Sequence, residues 1–273
     1  MDIAKLCEEI NLQTEIKNRV ILFAESFDFT TVDKPLKDFS AYEKMGEARR
    51  ELKEILGEDQ DNIKMLTCML KASVTAYGTY KAKEISDEIY YATMKCYPRF
   101  IEEMYKRTGR YYFDRDWWTT RQAGCHLFRI DALEYEIVRN EKKITIGIHI
   151  PSDADFSSSA VDRSLERAKK FFSTYYPETE GAEYCCESWL LDSQLREMLG
   201  EDSHIVGFQK RFEIFDVGKI RTDFIEWVFG RNSADTDYAE FPENTSLQRK
   251  LKKHILAGGV IRNAHGKILA NHV

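Results

Sequence analysis

Two titratable side chains stand where the sequence predicts that a strand ends. His149 closes an alternating apolar run, where a neutral imidazole could take a proton from an amine. The alternative for His149 is a histidine hydrogen-bonded to the loop that follows. Glu187 could act as a base if burial made its carboxylate more basic. The alternative for Glu187 is a structural partner for an arginine such as Arg129 or Arg211.

Other residues near Glu187 invite weaker chemical interpretations. Tyr184 and Tyr135 are candidate general acids for a leaving group. Ser188 lacks the G-x-S-x-G surroundings of a nucleophile elbow, so a covalent serine mechanism is not predicted. Cys185 and Cys186 could form a covalent thioester, but their place in an apolar run favours inert packing.

Three consecutive serines suggest an anion-binding helix start. Ser157, Ser158 and Ser159 end a polar loop that begins at Pro151, and a helical apolar pattern follows them. The first N–H groups of a helix have no intrahelical acceptor, and the helix dipole favours negative charge there. These serines therefore predict a phosphate-binding site.

The elements that position these residues can be read from periodicity. Isoleucines at 144, 146, 148 and 150 share one face of a predicted strand at 143–150. A second run, 183–191, is apolar on both faces, and a helix separates the two runs. Strands joined through a helix are expected to be parallel neighbours, with a ligand beyond their carboxyl ends.

The remainder of the second half is predicted to complete a mixed sheet. A strand over 128–138 should turn back through 139–143 as an antiparallel hairpin. Further along the chain we expect a short helix at 193–199, a strand at 205–215, and helices at 221–229 and 245–256.

The first 108 residues are predicted to be almost wholly helical. Their clearest apolar stripe comprises Ile63, Leu66, Leu70, Val74 and Tyr77, which indicates core packing and not a cofactor site. An aromatic, charged stretch at 109–126 is interpreted as a domain junction. The sequence thus predicts an α+β protein, with a helical bundle over 1–115 and a mixed sheet domain over 116–273.

Composition excludes several functional classes. The 273 residues carry a net charge of −6, without a basic tract that would predict nucleic-acid binding. No apolar run reaches the length of a membrane span, and the first residues lack a signal peptide's apolar region. The six scattered cysteines predict reduced, buried thiols and no metal site. We therefore expect a cytoplasmic protein.

Four segments carry a resemblance to a known family. They are Leu127-Phe-Arg-Ile-Asp-Ala-Leu-Glu-Tyr-Glu136, His149-Ile-Pro151, Cys186-Glu-Ser-Trp-Leu-Leu-Asp192 and Ser203-His-Ile-Val-Gly-Phe-Gln-Lys-Arg-Phe212. Together with the order of elements, these segments resemble a bacterial family that pairs a helical N-terminal domain with a GNAT-like (Gcn5-related N-acetyltransferase) C-terminal domain. The resemblance spans nearly the whole chain.

The resemblance implies acyl transfer, most simply of an acetyl group, from acetyl-CoA or another acyl-CoA to a small-molecule amine by direct attack. In that family the pantetheine enters the gap between two parallel strands, which here implies contacts at Gly147, Ile148 and Ile150. The pyrophosphate meets the helix start, here Ser157 to Ser159. His149, Glu187 and Tyr184 are then the catalytic candidates, and no metal is implied.

One departure from the family pattern keeps a second function open. GNAT enzymes usually carry a Q/R-x-x-G-x-G/A loop before this helix, whereas here the loop has no glycine and contains Asp153 and Asp155. Carboxylates facing a pyrophosphate would repel it. The alternative is a non-catalytic GNAT-like module that binds a small ligand or a partner protein.

Overall fold

The fold is taken from a computed structural model, which describes residues 1–140 and 143–269. Contacts between residues divide the chain into two units. The first comprises 1–130 and 136–139, and the second comprises 131–135 and the described residues from 140 onward. A boundary between 115 and 116 stays a prediction. The predicted turn at 139–143 includes residues 141 and 142, which lie outside the described residues.

The first unit is helical up to its last strands, as the periodicity predicted. Its main α-helices are α1 (Ile3–Glu9), α2 (Thr14–Ser26), α3 (Asp33–Asp38), α4 (Met45–Leu56), α5 (Ile63–Ala82), α6 (Asp87–Met94), α7 (Cys96–Thr108) and α8 (Asp116–Ala123), and β1 (Leu127–Ile130) follows. The helix α5 continues past Gly78 to Ala82, four residues beyond the predicted end. Its buried Ser73 hydroxyl lies 2.9 Å from the Tyr97 hydroxyl, which joins α5 to α7.

The second unit is a mixed sheet with helices. Its elements are β2 (Leu133–Asn140), which also runs through the first unit, β3 (Lys143–His149), α9 (Ser158–Tyr175), β4 (Glu183–Ser188), α10 (Gln194–Leu199), α11 (His204–Gln209), β5 (Phe212–Ile220), α12 (Asp223–Phe229), α13 (Ser246–Leu256) and β6 (Arg262–Ile268). The strand order is β1-β2-β3-β4-β6-β5. The protein is therefore α+β, as predicted.

The central prediction about the sheet is confirmed. Strands β3 and β4 are parallel neighbours, and Ile146 lies opposite Tyr184 in their register. The helix α9 connects them, as expected for a parallel crossover. In the chain, the start of α9 therefore follows the carboxyl end of β3.

One prediction in the second unit was wrong. The predicted strand at 205–215 is the helix α11 followed by β5, which extends to Ile220. Val206 and Phe208 are buried in α11, and the side chain of Gln209 donates hydrogen bonds to the carbonyls of Leu190 and Asp192. Such tertiary contacts outweigh the strand propensity of branched and aromatic residues.

The strand β6 was missed altogether. It lies between β4 and β5 although its sequence, Arg-Asn-Ala-His-Gly-Lys-Ile, alternates poorly. A Cβ atom at Gly266 would lie 3.1 Å from both Leu191 and Phe212, so the glycine permits close packing there. The polar residues of β6 consequently lie on the same sheet as His149 and Glu187.

Two packed clusters support the second unit. Beneath α9, the ring of Phe172 lies 6.4 Å from that of Tyr135 and 6.2 Å from that of Tyr184. The other cluster is formed by Trp189, Leu190, Leu195, Phe224, Ile225, Phe229, Phe241, Leu251 and Ile261.

The structure also shows the environment of the cysteines and the character of the helices. All six cysteines are free, and four of them are buried. Among the described residues, no helix combines the length and the apolar character needed to cross a membrane.

Candidate functional site

The parallel pairing of β3 and β4 ends before the strands do. The register joins Thr145 to Glu183 and ends where Gly147 pairs with Cys185, within the part of the chain that the structure describes. Strand β3 nevertheless continues to His149, and β4 to Ser188. Beyond Gly147 and Cys185, the two strands are no longer register partners. The strand ends therefore form a candidate site for an extended ligand.

Alternation assigns the candidate residues to two faces of the sheet. Register partners share a face, so Ile146 and Tyr184 lie on one face and Gly147 and Cys185 on the other. His149 and Glu187 follow at even spacing on the face of Gly147. The structure therefore brings His149 and Glu187 to one face and places Tyr184 on the opposite one.

The two candidate acids lie in the core beneath α9. Burial raises the pKa of Tyr184 to about 12. Burial also raises the pKa of Tyr135, whose hydroxyl lies 2.9 Å from that of Ser164 on α9. Their position explains the contacts of both tyrosine rings with Phe172.

Glu187 is half exposed and its described partners come from β6. Its side chain is 49% exposed, so the carboxylate can be reached from solvent. The side-chain amide of Asn263 donates a hydrogen bond to Oε1 of Glu187 at 3.3 Å. His265 lies opposite Glu187 in the register, with its Nε2 atom 3.8 Å from Oε1. Asn263 and His265 were not predicted as partners of Glu187, because the sequence pattern did not predict the strand β6.

Arg211 does not pair with Glu187 but binds the start of α9. This buried guanidinium donates to Oγ of Ser158 at 2.6 Å and to Oδ1 of Asp162 at 2.7 Å. It also donates to the carbonyl of Gly207 at 2.6 Å. A cation thus lies at the helix start where the serines predicted an anion site, although its donors already have partners.

The loop before α9 places a carboxylate against one of the N–H groups at the helix start. The carboxylate of Asp155 accepts a hydrogen bond from the backbone N–H of Ser157 at 2.8 Å. This bond, with a further one from the Ser157 side chain, lowers the pKa of Asp155. The N–H groups of Ser158 and Ser159, in the first turn of α9, have no intrahelical acceptor. The two exposed serines are therefore the positions at which a phosphate would meet the helix.

The remaining candidates are placed by packing. Ile148 is buried, and Ile150 packs with Phe156 against the cluster around Trp189. A ligand at the strand ends would accordingly meet backbone at these isoleucines. His149 lies between them, half-buried, at the end of β3.

The thiols and metal-binding groups offer no alternative chemistry here. Burial raises the pKa of Cys185 and, more strongly, that of Cys186, which disfavours their reactive thiolate forms. Across residues 1–140 and 143–269, no group of three or more histidine, cysteine, aspartate or glutamate side chains is arranged to hold a metal ion.

Comparison with solved structures identifies several similar folds. A crystal structure of an acyltransferase in complex with decanoyl-CoA and teicoplanin matches at a TM-score of 0.77 and 20% identity, covering 97% of this chain and 87% of that one. An acyltransferase in complex with decanoyl-CoA matches at 0.77 and 21% identity, over 97% and 86% of the two chains. A mutant acyltransferase in complex with octanoyl-CoA matches at 0.76 and 21% identity, over 97% and 87%.

Family models account for nearly all of the sequence. A model described as N-acyltransferase N-terminal domain matches residues 1–125. A model described as GNAT-like C-terminal domain matches residues 81–268. No curated protein matches the chain. The second match covers more than half of the chain and agrees with the sheet topology, so this protein belongs to the GNAT-like family of acyltransferases.

Proposed function

We propose that this protein transfers an acyl group from an acyl-CoA to a small-molecule amine by direct attack on the thioester. The observation that carries the proposal is the end of the β3–β4 pairing at Gly147 and Cys185, in a strand that leads directly to the loop and start of α9. Solved structures with the same fold are acyltransferases with decanoyl-CoA or octanoyl-CoA bound, and one of them also holds teicoplanin. Their ligands support an acyl-CoA donor and a small-molecule acceptor.

In this proposal the cofactor runs from the helix start to the strand ends. Its phosphates meet Ser157, Ser158 and Ser159. The N–H groups of Ser158 and Ser159 have no intrahelical acceptor, and the helix start carries a partial positive charge. The pantetheine then passes along the backbone of Gly147, Ile148 and Ile150. Backbone N–H groups released from the parallel ladder would stabilise the oxyanion that forms on the thioester carbonyl.

His149 is the proposed general base. It stands at the carboxyl end of β3, on the face of Gly147. The neutral amine attacks the thioester carbonyl and forms the C–N bond, while an N–H bond breaks and its proton passes to the imidazole. The C–S bond then breaks, and CoA leaves as a thiolate that takes the proton from the imidazole. Most of the rate would come from positioning the amine and the thioester together.

A non-catalytic binding module remains the second candidate. The absence of a glycine-rich loop and the contact between Asp155 and the Ser157 N–H favour it, because both reduce the N–H groups available to a pyrophosphate. The two candidates differ in whether CoA binds at all.

Thermal unfolding with CoA should separate the two candidates. A ligand at 100 times its dissociation constant stabilises the native state by about 2.7 kcal/mol, so CoA and acyl-CoA should raise the midpoint of unfolding. Acetyl-, octanoyl- and decanoyl-CoA measured side by side would identify the preferred acyl chain. If millimolar CoA and all three acyl-CoA compounds left the midpoint unchanged, the acyl-CoA proposal would be refuted.

A new negative charge at Ser159 should weaken CoA binding. We expect Ser159→Asp to raise the dissociation constant of CoA about tenfold or more, because a carboxylate would face the phosphates at short range. Ser159→Ala, which adds no charge, is the matched control and should bind nearly as the parent does. Calorimetry with CoA measures both variants.

Ser159 is a sharper test position than Ser158. The hydroxyl of Ser158 bonds to Arg211 and donates to Asp162, so Ser158→Asp would also disturb those contacts. Equal CoA affinity of the parent, Ser159→Asp and Ser159→Ala would place the phosphates elsewhere.

A further inference from the structure

A group of hydrogen-bond acceptors lies on the polar face of β4 and β6, beyond the last pair of β3 and β4. Glu187 and His265 are register partners, and Asn263 lies one step further along the same face of β6. The Asn263 amide is held by its Nδ2 atom, which donates to Oε1 of Glu187 at 3.3 Å.

The amide oxygen of Asn263 lacks a partner. Asn263 is only 9% exposed, and its Oδ1 atom has no hydrogen bond from any described residue. A buried polar atom without a partner is uncommon and costs free energy, commonly about 1–3 kcal/mol. Because Nδ2 of the same amide is fixed on Glu187, the unsatisfied acceptor lies beside an exposed carboxylate. This combination points to a ligand that donates hydrogen bonds and carries positive charge.

The neighbouring carboxylate on β4 has a different role. Lys143 and Lys267 both donate to Glu183, and these bonds lower the pKa of Glu183 to about 2. Its charge is therefore matched by two lysines. Glu187 has only Asn263 and His265 as described partners and remains half exposed.

A glycine keeps space open beside this group. A Cβ atom at Gly218 on β5 would lie 3.1 Å from the carbonyl oxygen of Asn263 and 3.7 Å from Nε2 of His265. The first of these distances is shorter than ordinary van der Waals contact, so a larger side chain would crowd the imidazole and the backbone of β6.

We infer that Glu187, Asn263 and His265 form the acceptor subsite, which binds the primary ammonium group of the acyl acceptor. This inference rests on the proposed acyl transfer. A primary ammonium has three N–H donors, and the subsite offers a carboxylate, an amide oxygen and, in neutral His265, a ring nitrogen. Glu187 thus recognises the acceptor as its ammonium. The bound ammonium first releases one proton through His149 to solvent, and the neutral amine then attacks the thioester, giving its second proton to His149.

The subsite predicts selectivity between two isomeric amines. At neutral pH phenethylamine is a cation, whereas para-ethylaniline is uncharged but still nucleophilic. With saturating octanoyl-CoA and thiol release as the readout, Glu187→Gln should raise the KM for phenethylamine about tenfold. The preference for phenethylamine over para-ethylaniline, measured as the ratio of their KM values, should weaken accordingly.

Replacing His265 tests the contribution of its ring nitrogen. The charged or titratable groups around His265 on this face are Glu187 on β4, Asp216 on β5, and Lys267 with Cys185 and Glu213 in the next row. His265→Gln removes the ring nitrogen that would accept from the ammonium, so it should raise the KM for phenethylamine more than the KM for para-ethylaniline. A purely structural histidine would change both KM values together.

A control variant and three contrary results complete this test. Glu213→Gln removes an exposed carboxylate opposite Lys267, and it should leave the ratio of the two KM values unchanged. Equal effects of Glu187→Gln on both isomers would overturn the inference, as would octanoyl-CoA binding by a parent protein that acylates neither amine. Failure of every acyl-CoA to bind would instead refute the proposed function itself.

Discussion

Replacing His149 by glutamine should lower turnover by roughly 10²–10⁴-fold, the usual contribution of a general base. The imidazole stands at the end of β3, on the same face as Gly147 and Glu187, where the proposed thioester and amine meet. Glutamine retains polar atoms of similar reach but cannot take the proton. The measurement is thiol release from an acyl-CoA in the presence of an amine acceptor.

The affinity for CoA distinguishes a lost base from a damaged site. We expect His149→Gln to bind CoA as the parent does, because the cofactor would meet backbone and not the imidazole. His254→Gln is the matched control, since His254 lies on α13 and its ring contacts the carbonyl of Val260. Turnover by His149→Gln within twofold of the parent would assign the base to another group, and turnover reduced equally in both variants would indicate a general structural effect.

Periodicity correctly predicted those elements of the fold that have a strong amphipathic pattern. The isoleucines of β3 and the apolar stripe of α9 identified the parallel pair and its crossover, and these elements carry His149 and the serines. The pattern could also assign faces, because alternation along a strand is strict.

The parts that were not predicted depend on contacts distant in sequence. The strand β6 contains Asn263, His265 and Gly266, and its pairing with β4 and β5 determines its conformation more than local preference does. Glu187 was recognised as a candidate, but its partners were not, because they lie 76 and 78 positions later in the chain. Arg211 was considered only as a partner of Glu187, and its position at the start of α9 follows from the helix α11 that replaced a predicted strand.

Replacing Phe172 by alanine should destabilise the protein by about 3–5 kcal/mol, the usual cost of removing a buried phenylalanine ring. Phe172 is 2% exposed, and its ring packs with those of Tyr135, Tyr184 and Phe171. The loss is a large fraction of the stability of an ordinary domain. Urea unfolding followed by tyrosine and tryptophan fluorescence would measure the change.

A second phenylalanine in the same unit provides the comparison. Phe215 is 64% exposed on β5, so Phe215→Ala should change the stability by no more than about 0.5 kcal/mol. The comparison tests whether the ring of Phe172 anchors α9 to the sheet. Equal costs for the two replacements would mean that α9 is not anchored through Phe172.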